Sequence, residues 1–284
     1  MERTLGALVA DARRRFRKLS ASFEIPPREA LLLAGHVLGW SESRVLAYPE
    51  HILSPAEAAR FEALLGRRLS GEPFAYLTGE REFYGRPFTV DRRVLIPRPE
   101  TEHLVEAALA LALPAAPRIL DIGTGSGCIA VTLALELPGC QAVAADRSLD
   151  ALRVVQANVR RHRVDNRVAP VKVDLAAALD LSSFDLVVSN PPYVDPADTG
   201  ELSPEILDFE PASALFAERR GLALIEDLIQ EATAMAPGTW MLLEIGRGQA
   251  PGVERHAASR DWDIGATISD YAGIARVVQL RRPR

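Results

Sequence analysis

The sequence predicts an α/β protein: a doubly wound sheet preceded by a small helical bundle and a β-hairpin linker. Three observations carry that expectation. From Arg118 onward, short apolar runs alternate with helical patterns, the signature of strand–helix units in a parallel sheet. The first run, Ile119-Leu120-Asp121-Ile122, opens into the alternating glycines Gly123, Gly125 and Gly127. The fourth, Leu186-Val187-Val188-Ser189, stops at Asn190-Pro191-Pro192-Tyr193, where two prolines without N–H groups end any ladder.

The bulk properties fit this class. A chain of 284 residues with 48% hydrophobic and 25% charged residues is ordinary globular protein, long enough for about two domains. At this length roughly three quarters of the extended surface is buried on folding, so no covalent staple is required. Cys128 and Cys140 are too few for a disulfide framework, and the five histidines are scattered without metal-ligand spacing, so no metal is expected. The first residues lack the order of a signal peptide, and no apolar run reaches the ~18 residues of a membrane span; the cytoplasm is the expected location. The net charge of −5 is uneven: residues 1–100 hold 16 Arg/Lys against 13 Asp/Glu, and residues 101–284 hold 17 against 25. An acidic main domain argues against direct nucleic-acid binding, which wants a basic surface.

In chain order, Leu5, Leu8, Val9, Ala12, Phe16 and Leu19 recur at helical spacing and predict an amphipathic helix over residues 3–20. Pro26-Pro27 lead into a second helix over 28–38, stopped near Gly39. Ser54-Pro55-Ala56-Glu57 is a capping box with proline at the first helical position. The helix it opens carries Phe61, Leu64, Leu65 and Leu69 and ends by Gly71 and Pro73. These 73 residues form a bundle that recognises rather than reacts. Glu82-Phe-Tyr-Gly-Arg-Pro-Phe-Thr-Val90 predicts a hairpin turning at Gly85. In Leu95-Ile-Pro-Arg-Pro-Glu-Thr-Glu102 the prolines hold the chain extended, and Thr101 is placed to cap a helix over 102–113. Then come strands at 119–122, 142–145, 168–173, 185–189 and 240–245, with helices at 128–137, 149–161, 222–235 and 250–259. The last two runs, 262–268 and 275–280, have no helix between them and so predict a closing antiparallel hairpin, since a parallel crossover needs about a dozen residues.

The glycine loop selects a ligand class. Glycines between a strand and a helix let a ligand approach the backbone. Asp146, at the end of the next strand, sits where an acid binds ribose hydroxyls. A dinucleotide fingerprint has the spacing G-x-G-x-x-G, whereas these glycines alternate, and no second glycine-rich unit follows. Asp121, two residues before the first glycine, opposes a pyrophosphate but suits a cation such as the amino and sulfonium groups of S-adenosylmethionine. Asp174, one strand further, is placed near the adenine.

The first and fourth strands of such a sheet are neighbours, so the Asn190 loop lies beside the glycines. An amide or aromatic amino nitrogen is a poor nucleophile because its lone pair is delocalised. The Asn190 side-chain oxygen and the Pro191 carbonyl can each accept one N–H. The nitrogen's lone pair then faces a methyl donor, and the planar group rests on Tyr193.

These residues resemble the release-factor glutamine N5-methyltransferases, the PrmC or HemK family. The resemblance runs over nearly the whole chain, through Tyr76-Leu-Thr-Gly-Glu-Arg-Glu-Phe-Tyr-Gly85, Val94-Leu-Ile-Pro-Arg-Pro-Glu-Thr-Glu102, Leu120-Asp-Ile-Gly-Thr-Gly-Ser-Gly127, Ser189-Asn-Pro-Pro-Tyr-Val194 and Phe209-Glu-Pro211. Asn-Pro-Pro-Tyr alone is shared with adenine-N6 and guanine-N2 methyltransferases; its combination with Pro-Arg-Pro-Glu-Thr is specific. The resemblance implies a class I S-adenosylmethionine-dependent methyltransferase with a seven-stranded sheet over residues 99–284, a hairpin linker over 74–98 and a recognition bundle over 1–73. It implies that Asp121, Gly123, Thr124, Gly125, Ser126, Gly127, Asp146, Asp174, Leu175 and Asn190 hold S-adenosylmethionine, with S-adenosylhomocysteine as product. Leu175 stands where the family often carries an aromatic. Asn190, Pro191, Pro192 and Tyr193 would hold the glutamine of the Gly-Gly-Gln motif of class I peptide chain release factors, with Asn190, Pro191 and Tyr193 catalytic. Glu100 and Thr101 would lie over the cofactor. A monomer without nucleic-acid or membrane partners is implied.

Two other readings compete. A nucleic-acid base methyltransferase would share the loop but would want a basic channel and a base-flipping pocket. A non-catalytic binding protein would keep the fold and the cofactor only.

Overall fold

The computed structural model describes residues 4–18 and 25–284. The start of the first expected helix and its end, including Leu19, lie outside the described residues; within them it spans Leu5–Lys18. The described chain divides into two compact units. One takes the residues up to Gly79 together with Gly200–Phe209, and the other takes Glu80–Thr199 and Glu210–Arg284.

The first unit packs Leu5–Lys18, Glu29–Leu38, Glu42–Ala47, Pro55–Leu69 and Phe74–Thr78 around a core that includes Phe16, Leu33, Phe61 and Leu65. Gly39 ends the second helix in the left-handed conformation, and the capping box at Ser54 and Glu57 is formed. Residues 74–79, expected in the linker, belong to this unit because Pro73 starts a short helix that Gly79 closes with φ 74°. The buried guanidinium of Arg68 meets Glu29 at 2.5 Å and, at 3.3 Å, Glu205 of the helix Pro204–Phe209.

The second unit begins with the expected hairpin, β1 (Glu80–Phe83) and β2 (Arg86–Thr89), turning through Tyr84 and Gly85 with positive φ. Its sheet comprises β3 (Arg118–Ile122), β4 (Gln141–Asp146), β5 (Val168–Lys172), β6 (Leu186–Ser189), β7 (Trp240–Glu244), β8 (Asp263–Ser269) and β9 (Ala275–Arg281). The order β5-β4-β3-β6-β7-β9-β8 is the seven-stranded doubly wound arrangement. Strands β3 to β7 pair in parallel, and β9 pairs antiparallel with both β7 and β8. Apolar clusters cover the two faces, one with Leu104, Ile129 and Val155, the other with Ile225, Leu228 and Trp262. The central strands therefore read as continuous apolar runs. The chain leaves β3 toward β4 on one side and returns to β6 on the other, so the switch point falls between β3 and β6, with Ile122 opposite Ser189.

Two helices end earlier than expected. That after Thr101 stops at Leu109, ahead of Pro114, which disfavours helix just before it. That beginning near Leu222 gives way after Glu231 to a tighter turn at Ala232–Ala234.

Candidate active site

A cavity of about 350 Å³ opens at the carboxyl ends of β3, β4 and β6, where open α/β sheets place their ligands. One wall is the glycine loop. Gly123, Gly125 and Gly127 have φ of 70°, 57° and 80°, which a side chain adopts only under strain. A Cβ at Gly123 would meet nothing within 4 Å, whereas one at Gly127 would press on Val155 at 3.0 Å. The first glycine therefore keeps the backbone open to a ligand, and the third packs helix against helix. Opposite stand Asp146, Asp174 and Leu175, and the loop Asn190, Pro191 and Pro192 closes another side. Leu175 holds φ 50°, a left-handed conformation rare outside glycine.

Asp146 is held before any ligand arrives. Its Oδ2 accepts from the Gly125 N–H at 3.0 Å and its Oδ1 from the Ser148 N–H at 2.8 Å. Burial raises its pKa and these two bonds oppose the rise. The carboxylate joins the glycine loop to the start of the helix Leu149–Arg161 and keeps lone pairs for a ligand.

Asp121 does not line the cavity. It is 0% exposed on β3, because a strand residue in a sheet covered on both faces is buried whichever way it points. Its Oδ2 accepts from the Thr124 hydroxyl at 2.5 Å and the Ala130 N–H at 3.2 Å, while Oδ1 has no partner. Desolvation lifts its pKa to about 7. Asp121 thus ties the glycine loop to the helix Cys128–Glu136 from beneath.

Asn190 extends β6 into the cavity, and the Ser189 hydroxyl anchors the strand end by donating to the Ile122 carbonyl at 2.7 Å. Thr101 does not cap a helix. Its backbone is already helical, in the turn Pro99–Thr101, and its hydroxyl accepts from Asn190 Nδ2 at 3.1 Å. This leaves Asn190 Oδ1 as the free acceptor. Among the described residues nothing donates to the Pro191 carbonyl. The structure brings together both expected acceptors and the glycine loop.

Tyr193 does not line the cavity either. Its ring packs with the apolar cluster under β7, its hydroxyl lies 3.5 Å from Glu244, and burial raises its pKa. Two prolines in a row turn the backbone so that the ring of the fourth residue is partly buried against that cluster. Its carbonyl accepts from Gln249 Nε2 at 2.9 Å, which fixes the far end of the loop.

Several supports escaped the sequence reading. Glu210 Oε2 accepts from the Ile96 N–H at 3.0 Å and Oε1 from Arg98 at 2.6 Å, setting the cavity wall that contains Pro97. Asn158, fully buried in mid-helix, accepts from the Thr89 N–H at 2.7 Å and donates to the Thr89 and Ser126 carbonyls. Glu244, 1% exposed at the end of β7, has one carboxylate oxygen without a partner. Glu100 is absent from the lining; its charge acts on Glu244 and Tyr193. Among the described residues no group of His, Cys, Asp or Glu could hold a metal ion, and no helix is long and apolar enough to cross a membrane.

Comparison with known proteins agrees with this geometry. Residues 7–79 match the PrmC N-terminal domain and residues 101–209 the methyltransferase small domain. The chain is 44% identical to a release factor glutamine methyltransferase of Koribacter versatilis, over 91% of this chain and 92% of that protein. It is 41% identical to the one from Escherichia coli, over 92% of this chain and 93% of that protein. Among solved structures, a methyltransferase from Pyrococcus furiosus has the same fold, with a TM-score of 0.54 at 15% identity, covering 77% of this chain and 98% of that one. With an identity of that size sustained across both units, the chain belongs to the release factor glutamine methyltransferase family.

Proposed function

We propose that the cavity holds S-adenosylmethionine and that the 190–193 loop presents to it the side-chain amide of the glutamine in the Gly-Gly-Gln motif of class I peptide chain release factors, which is methylated at N5. The observation that carries this reading is an Asn190 amide turned by Thr101 so that Oδ1 is free, beside an open glycine loop at the switch point.

The residues present fit the cofactor. Space for a ligand backbone contact at Gly123, the Asp146 carboxylate held by Gly125 and Ser148, and the apolar side chains of Val173, Leu175 and Ile129 form one continuous lining. Asp146 would take the ribose hydroxyls, Leu175 would pack on the adenine with aliphatic surface, and the 123–127 backbone would carry the methionine part. When bound, S-adenosylmethionine supplies an electrophilic methyl group on a sulfonium. Asn190 Oδ1 and the Pro191 carbonyl each accept one N–H of the substrate amide, which fixes the plane and turns the nitrogen lone pair toward the glycine loop. Both are dipoles already oriented, so positive charge growing on that nitrogen as the methyl parts from sulfur is stabilised without reorganisation, and the methylated nitrogen, now acidic, then releases one proton to water. Pro192, Pro97 and Pro211 line the cavity with apolar surface. The helical unit recognises the release factor, and the enzyme acts in the cytoplasm as a monomer.

The test is incubation of the protein with S-adenosylmethionine and a release factor, followed by mass spectrometry of the Gly-Gly-Gln peptide. One added methyl on the glutamine is expected. Methyl groups appearing in added RNA or DNA and not in the factor would overturn the reading.

A further inference from the structure

Tyr271 is the most exposed large hydrophobic side chain among the described residues, at 96%. It stands in the turn between β8 and β9, and that turn is firmly bonded. The Asp270 N–H donates to the Ile274 carbonyl at 2.8 Å, and the Gly273 N–H to the Asp270 carbonyl at 2.9 Å. The Asp270 carboxylate accepts from the Ala272 and Ile274 N–H groups at 2.9 and 3.0 Å and from Arg276 Nε at 2.8 Å. Gly273 supplies a positive φ of 77° that the reversal needs. The backbone under Tyr271 is thus held in one conformation, while its ring, left in water, adds nothing to folding.

The turn lies at the end of the sheet where the cavity opens. Strand β9 pairs antiparallel with both β7 and β8, so β8 runs parallel to β7 and their carboxyl ends point the same way. The Asn190 loop leaves β6 at that same end. In the order β6-β7-β9-β8 the turn falls between the second and third strands from β6, about 12 Å away at ~4.8 Å per strand. A ring contact ties it to the site. Tyr271 meets His103 edge-on with centroids 5.1 Å apart, and His103 lies two residues after Thr101, the partner of Asn190.

We infer that Tyr271 is a substrate-docking residue: its ring packs on the main chain that flanks the methylated glutamine of the release factor. This rests on the proposed glutamine reading and adds to it a contact outside the cavity. A span of about 12 Å is three to four residues of extended chain at ~3.3 Å each. A glutamine whose amide is held at Asn190 therefore carries its neighbours past the turn. Those neighbours include the two glycines of the Gly-Gly-Gln motif, whose peptide planes no side chain covers, so a flat ring can approach them. Tyrosine suits that surface, with an apolar face for the peptide planes and a hydroxyl for their carbonyls. Because the turn is fixed by its own bonds, little ordering cost falls on association.

The experiment uses the full chain and a purified release factor. KM, turnover at saturating release factor and cofactor affinity by calorimetry are measured for wild type, Tyr271→Ala, Tyr271→Phe and Ile264→Ala. Tyr271→Ala is expected to raise KM for the release factor by about tenfold, with saturated turnover and cofactor affinity unchanged. Tyr271→Phe recovers most of the loss. Ile264, 40% exposed at the other end of β8, is the control, and Ile264→Ala keeps the wild-type KM. In parallel, a photoactivatable benzophenone side chain is placed at position 271 and its cross-link is mapped by mass spectrometry. The cross-link is expected within about four residues of the release-factor glutamine. A wild-type KM in Tyr271→Ala overturns the inference whatever its turnover. So does a cross-link that is absent, falls elsewhere on the factor, or joins a second copy of this chain. A wild-type enzyme that leaves the glutamine unmethylated overturns the glutamine reading itself, whereas failure in the variants alone leaves that reading standing.

Discussion

Asn190 and Thr101 are 89 residues apart in sequence and joined by one hydrogen bond of 3.1 Å, from Asn190 Nδ2 to Thr101 Oγ1. One residue ends the fourth strand in the chain order of the sheet, and the other ends the proline-rich segment that follows the hairpin. The bond makes the amide an oriented acceptor and ties it to the segment whose Pro97 and Arg98 line the same cavity.

Replacing Asn190 with Ala removes that acceptor and leaves the glycine loop and Asp146 untouched. Methyl transfer is expected to fall by about 10², while cofactor affinity measured by calorimetry stays within about threefold. Loss of cofactor binding in step with turnover would instead mark Asn190 as a cofactor contact alone.

Gly221 is where the 190–193 loop tolerates least. It sits at φ 76°, and a Cβ there would lie 1.9 Å from the Tyr193 carbonyl oxygen. That carbonyl must move, breaking its bond with Gln249 and shifting Asn190 with it. Gly221→Ala is expected to lose at least about tenfold in turnover, since misplacing a positioned group by about 1 Å costs that much or more. Gly273→Ala, at φ 77° in the β8–β9 turn with nothing within 4 Å, meets only backbone strain. It should lose about 1–3 kcal/mol of stability without a change in turnover. Equal turnover in the two variants would refute the loop argument.

Stability should fall as pH rises from mildly acid to neutral. Burial holds Asp121 at about 7 in the folded chain against an ordinary aspartate value of 3.8. The native state thus keeps a proton that the unfolded chain has released. Its contribution is fully present below about pH 4 and is lost progressively as pH climbs through about 7. Asp121→Asn keeps one oxygen for Thr124 and Ala130 and places an amide where Oδ1 has no partner. Urea midpoints of the variant should vary less between about pH 5 and pH 8 than those of wild type. A wild-type midpoint that rises over this interval would contradict the raised pKa.

The sheet was legible because each parallel strand is a short apolar run and each crossover has helical spacing; 149–161 was read to the residue. The glycine loop and the Asn190 loop were legible because glycine and proline state their backbone needs locally. What the pattern hid is convergence across distance. Glu244 closes Trp240–Glu244 and reads as an ordinary strand end, and Asn158 in mid-helix reads as a polar residue facing water. Asp121 and Tyr193 carry the right chemistry for a site, yet the sheet's second covering layer buries Asp121 and the double proline turns Tyr193 against the apolar cluster. Thr101 was given a capping role because local spacing describes the backbone ahead of it, and the sequence holds no local mark of the amide that it meets.

Asn158 offers the last prediction because its one amide serves two elements. It accepts from the Thr89 N–H of β2, donates to the Thr89 carbonyl, and donates to the Ser126 carbonyl in the glycine loop. The bond to Ser126 is buried and the two with Thr89 are partly buried, so Asn158→Ala strands one buried acceptor together with a partly buried donor and acceptor. At about 1–3 kcal/mol for the first such group, a total loss of about 2–5 kcal/mol is expected, read as a drop in the urea midpoint. Asn158→Asp keeps the bond from Thr89 N–H but sets a carboxylate against two carbonyl oxygens, so it should be no better than Ala. Released from Asn158, Ser126 lets the glycine loop relax, so cofactor affinity should weaken together with stability. A variant that loses stability at full cofactor affinity would confine Asn158 to holding the hairpin.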